Sequence, residues 1–192
     1  MKNVPLSMML LLFSQAASAG DGRQETVLAE RVIEAPAERV WEAMVLDYGE
    51  ISNFSPFVYA SDYVKGSLRG ELHAERKCAF NESGSRWTHE QIQEIDNENM
   101  VMKNVVLDVG KFPLNTDRSF AYYRVRDNGD GTSTASYEFT YRTQPGWMTG
   151  MMRSAFQKNL DGTLIGLEHY VETGEIVNAT TGNWEAVAQR YE

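Results

Sequence analysis

Arg76 and Glu90 flank the run Asn81-Glu82-Ser83-Gly84-Ser85, whose composition marks a turn. A turn centred on Ser83 puts the two residues opposite each other on neighbouring strands. Leu72, Ala74, Arg76, Cys78 and Phe80 alternate with Glu71, His73, Glu75 and Lys77. The period of two therefore places Arg76 on the apolar face, with Glu90 and Ile92 beside it. A charge on an apolar face has to be paired, and a cross-strand arginine–glutamate pair meets that need. Two readings of the pair stand together. It is a structural ion pair, or it is a polar anchor for a ligand carboxylate, hydroxyl or carbonyl. In an enzyme, Glu90 would act as general base, with Arg76 or a tyrosine steadying an enolate.

Other candidates share that inward face. Tyr123, Tyr137 and Tyr141 fall on it by the same alternation, and each phenol needs a partner if buried. Met148, Met151 and Met152 cluster at the start of a helical pattern; flexible thioethers suit an adaptable apolar mouth, and equally a core. Cys78 reads as a small core residue rather than a nucleophile. The histidines, His73, His89 and His169, lack metal-ligand spacing, and no phosphate loop, dinucleotide fingerprint or nucleophile elbow occurs. The sequence thus implies no metal and no cofactor.

The elements that must hold these side chains come next. Thr26 to Glu34 is an apolar, β-branched run that predicts a strand, stopped at Ala35-Pro36. Val40, Trp41, Met44 and Val45 then recur at helical spacing, and Gly49 is the expected stop. A second short helical piece is expected at Ile51 to Phe54, before Pro56. Strands follow at Arg86 to Ile95, Met100 to Val109, Arg118 to Arg126 and Thr132 to Thr143, the last two joined by the hairpin signal at residues 127–131. From Trp147 to Glu172, apolar residues at three- and four-residue steps predict one long amphipathic helix. Gly162 and Gly166 share one face of it and predict a close approach to the sheet. The architecture is α+β: an antiparallel sheet with one apolar face, covered by the only long amphipathic helix. A curved sheet wrapped around a helix leaves room between them for a ligand.

The stretch at residues 33–58, with Ala35-Pro36, Val40-Trp41, Asp47, Ile51 and Pro56, resembles the opening of the START/Bet v 1-like (SRPBCC) superfamily, polyketide cyclase/dehydrase and lipid-transport type. Arg76 and Cys78 at residues 70–80, Glu90 and Ile92 at residues 89–96, and the helix end at residues 164–175 are similar to later pieces of that pattern. The resemblance covers residues 26–175. It implies the helix-grip fold: a curved antiparallel sheet wrapped around a long C-terminal helix, with two short helices after the first strand. It also implies a deep, mostly apolar cavity and lipid-like or polycyclic ligands. Trp41, Phe54 and Phe57 would then face the interior at one end of the sheet.

The start of the chain reads as a bacterial secretory signal: Lys2, a short apolar run from Leu6 to Phe13, and Ala17-Ser18-Ala19. Residues 1–19 would be removed, residues 20–25 would form a leader, and the protein would be periplasmic or secreted. Losing Lys2 takes the net charge from −9 to −10. So acidic a chain disfavours nucleic acid as a partner, and the apolar run is too short for stable membrane insertion. Cys78 is the only cysteine, so no intrachain disulfide forms and the core must carry the fold. Residues 176–192 are a tail with a short helix expected after Asn183. Three functions follow: carriage of a small hydrophobic ligand, a cyclase/dehydratase-type reaction, or an interaction module for a protein partner.

Overall fold

The computed structural model describes residues 23–64 and 66–191. The expected signal and residues 20–22 of the expected leader lie outside the described residues. Seven strands form one antiparallel sheet: β1 (Glu25–Ile33), β2 (Ala60–Tyr63), β3 (Glu75–Ala79), β4 (Trp87–Asp96), β5 (Val101–Val109), β6 (Phe120–Asp127) and β7 (Ser133–Tyr141). Their order is β1-β7-β6-β5-β4-β3-β2, so only the β1–β7 contact joins strands distant in sequence. The helices are α1 (Ala37–Trp41), α2 (Arg153–Thr173) and α3 (Trp184–Tyr191). This is the expected α+β helix-grip arrangement, with α2 lying against β1 and β7.

The region after β1 explains itself locally. Proline at position 36 has no amide hydrogen to lose and sits just before the first helical residue. The helix runs on as a π-helical turn, Glu42–Leu46, and stops at Asp47 rather than at Gly49. A 3-10 turn, Tyr48–Asn53, follows at once. Gly49 sits under the Tyr63 ring, where any Cβ would collide with it. The short edge strand that carries Tyr63, β2, was not expected from the sequence, because its four residues carry almost no alternation.

Two other expectations shift. Leu72 does not join β3: it is 50% exposed, and His73 has a positive φ of 69° that breaks the extended backbone before Glu75. The long helix begins at Arg153, not Trp147. Residues 146–152 form two 3-10 turns locked by Thr149, whose hydroxyl donates to the Gly146 carbonyl at 2.8 Å and accepts from the Thr143 amide at 3.1 Å.

The glycines of α2 serve a different contact from the expected one. At Gly166 a Cβ would run into the Phe54 carbonyl oxygen, and at Gly162 into the rings of Phe57 and Trp184. The glycine-bearing face of the helix is thus brought against the Phe54–Phe57 turn and α3, while other residues of α2 meet β1 and β7. The C-terminal segment docks on the body. Val177 donates to the Asn53 carbonyl at 2.9 Å, Ala179 to the Val58 carbonyl at 3.1 Å, and Val177 and Val187 are buried. Arg31 on β1 pairs with Glu168 on α2 and donates to the Tyr191 carbonyl at 2.7 Å, tying sheet, long helix and last helix together. The Asn183 side chain does not cap α3; it donates to Glu175 and to the Ile176 carbonyl.

Candidate functional site

β3 and β4 pair in the register that the turn implies, and Arg76 lies opposite Glu90. Both are buried. The guanidinium Nε donates to Glu90 Oε2 at 2.9 Å, and a terminal nitrogen lies 2.7 Å from the same oxygen. Its other donors reach the Tyr48 carbonyl and the Tyr123 hydroxyl, each at 3.0 Å. The guanidinium also lies over the Tyr48 ring, 4.1 Å from its centroid, a favourable cation–π placement.

Glu90 has two further donors. Thr88 donates to Oε1 at 2.7 Å, and Asn104 Nδ2 donates to Oε2 at 3.0 Å. Asn104 in turn accepts from the Tyr48 hydroxyl at 3.1 Å. The β4–β5 register shifts on both sides of this point, between His89 and Glu90 and between Ile92 and Glu94. Such bulges bend a strand and re-aim its side chains, and here they bring Asn104 within reach of Glu90.

Burial pushes the Glu90 carboxyl up. The Arg76 charge and the bonds from Thr88, Arg76 and Asn104 outweigh that and hold it below the usual carboxylate range. Burial raises Tyr48, Tyr123 and Tyr137, so all three remain neutral phenols. The Cys78 thiol beside them is pushed by burial up to about 12. The cluster is therefore an ion pair wrapped in neutral donors.

A chamber of about 60 Å³ lies above this cluster. Thr88, Glu90, Asn104 and Tyr137 form its polar side; Val106, Leu114, Phe139, Phe156 and Leu160 are among its apolar walls. Phe80 and Phe112, stacked at 5.0 Å, and Asn159 of α2 also line it. The same three residues line an outer groove of about 420 Å³, together with Pro56, Phe57, Tyr59 and Ala179. Two rings and one amide are thus common to the walls of the inner chamber and the outer groove.

The residues singled out in the sequence fall into separate places. Glu90 and Tyr137 line the chamber, and Phe57 lines the outer groove. Arg76 and Tyr123 sit behind Glu90 in the hydrogen-bonded cluster. Trp41 is buried and donates to Asn97 at 3.0 Å, away from the chamber. Phe54 is buried with its carbonyl against α2. Tyr141 packs on Phe156 and gives its hydroxyl to the Thr149 carbonyl at 2.9 Å. Met148, Met151 and Met152 lie in the 3-10 turns before α2. None of them lines the chamber or the groove, and Met151 is 71% exposed.

Sequence reasoning missed Thr88, Asn104 and Tyr48. Parity carried a signal for Asn104, which shares a face with the buried Met102 and Val106. Tyr48 had none, because it enters from a turn.

A curved antiparallel sheet gripping a long helix is the arrangement of START/Bet v 1-like proteins. The sequence model of the family described as "Polyketide cyclase / dehydrase and lipid transport" matches residues 24–172, and the chain belongs to that family. Among solved structures it is similar to XoxI from Bacillus cereus, with 15% identity over 77% of this chain and 96% of that one, at a TM-score of 0.63. It is also similar to Ara h 8.0201, with 17% identity over 79% and 99% and a TM-score of 0.62. For TTHA0849 from Thermus thermophilus the identity is 21% over 78% and 99%, with a TM-score of 0.60. At these identities the likeness is one of fold. No curated protein matches the chain.

Proposed function

We propose that this protein binds and carries a small hydrophobic molecule, exported with it to the periplasm or beyond. The observation that carries the reading is a pair of adjoining spaces that share Phe80, Phe112 and Asn159 as walls. The inner chamber takes a head group and the outer groove an apolar body. Together they reach the low end of the range of ordinary ligand sites, about 300–1,000 Å³. Among the described residues, no helix is long and apolar enough to cross a membrane. Carriage is favoured over catalysis by Glu90, because a carboxylate held low by four donor contacts is a poor base near neutral pH.

The test starts from protein stripped of ligand by mild unfolding and refolding. It should bind an apolar fluorescent dye, and protein taken from its own host should show a co-purifying mass by native mass spectrometry. Asn159→Trp should block dye binding by filling the passage, whereas Met152→Trp should leave it intact. If the wild type binds no apolar probe, or if the two variants behave the other way round, the proposed site is wrong. Export is checked by N-terminal sequencing, which should begin at Gly20; an intact Met1 would refute it.

A further inference from the structure

We propose that the ligand of this chamber is a neutral amphiphile headed by a hydroxyl group, and that the chamber rejects a carboxylate of equal length. The proposal rests on the ligand-binding reading above and names what that site selects. Its basis is which groups face the space and which remain unsatisfied.

A carboxylate offers about four acceptor positions. On Glu90, Oε2 is taken by two Arg76 nitrogens and Asn104 Nδ2. Oε1 receives only Thr88, so it keeps acceptor capacity on a residue that lines the chamber. Asn104 lines the same space. Its oxygen accepts from Tyr48, one N–H is given to Glu90, and its second N–H has no acceptor among the described residues. One acceptor and one donor side by side fit a hydroxyl, which donates to Glu90 Oε1 and accepts from Asn104.

The cation is not available to a ligand. Arg76 does not line the chamber, and four of its five N–H donors are directed at Glu90, Tyr48 and Tyr123. An anionic head would therefore meet the Glu90 carboxylate first. The Arg76–Glu90 pair is already neutral, so a second anion or a second cation in this enclosure would be an unpaired charge. A free fatty acid is thus a poor ligand here, although an arginine on the inward face would suggest the opposite.

Isothermal titration of the refolded, ligand-free wild type at pH 8 tests this with 1-decanol, decanoate, methyl decanoate and decylamine. Decanol should bind at least about tenfold more tightly than decanoate, the ratio that one net hydrogen bond of about 1.4 kcal/mol supplies. It should also exceed the ester, which accepts but cannot donate, and the cationic amine. In Glu90→Gln, the decanol-to-decanoate ratio should fall toward one. Should that variant not fold, the wild-type series decides alone. Decanoate or the ester binding as tightly as decanol overturns the proposal and leaves the ligand-binding reading standing. Binding of none of the four sinks that reading, and this proposal with it.

Discussion

Replacing Arg76 by alanine should be among the most damaging single changes outside the aromatic core. Glu90 would keep only Thr88 and Asn104. The Tyr48 carbonyl and the Tyr123 hydroxyl would each lose their guanidinium partner. Stranding one member of a buried pair costs roughly 3–5 kcal/mol. In a domain of this size that lowers Tm by about 6–20 °C. Lys77→Ala is the control. Lys77 points outward over the Trp87 ring at 4.0 Å, a contact worth about 0.5–1 kcal/mol. The loss should also depend on pH. In the wild type, Glu90 is depressed, so its stabilisation is present above the unfolded carboxylate range and disappears as pH falls through the folded value. Without Arg76, burial dominates and the carboxyl rises above its unfolded value. The variant's penalty is then greatest at about pH 7–8 and shrinks toward about pH 5, where Glu90 takes up a proton. Thermal melts of both variants across that range check this. Equal Tm values for Arg76→Ala and Lys77→Ala, or a gap that widens toward acid, would refute the reasoning.

Gly166→Ala should destabilise by several kcal/mol despite the usual gain of about 1 kcal/mol for alanine in a helix, because its Cβ meets the Phe54 carbonyl. Gly150→Ala, with open space around it, should melt within a few degrees of the wild type; equal losses at the two sites would show that α2 does not need the close approach. Cys78, buried and pushed up to about 12, should resist a thiol reagent at pH 8 until denaturant is added. Rapid labelling of the native protein would place that strand outside the core.

How much of this was legible beforehand depends on the kind of order involved. The strands from β4 to β7 could be read because alternation is a local property, set by the pleat of each strand. The Arg76–Glu90 pairing was legible for the same reason: a short turn fixes the register of a hairpin, and the register fixes who faces whom. Even the long helix was plain, although its first turns were not. There Thr149 and Thr143 bind each other and the backbone, a competition with helical hydrogen bonding that side-chain spacing does not reveal.

The sequence by itself determined the fold class, the hairpin that carries the ion pair, and the need for that pair to be buried together. Only the tertiary structure decided which side of the pair faces the chamber. Arg76 withdrew behind Glu90 because Tyr48 and Tyr123, from a turn and from β6, supply a carbonyl, a hydroxyl and a ring around the guanidinium. The same holds for the way in. Phe80, Phe112 and Asn159 come from three separate segments, while the methionines expected as a mouth lie in 3-10 turns, where Met151 is exposed and Met152 packs on the core. A chamber is bounded by contacts between elements far apart in the chain, and no local period encodes which of them will meet.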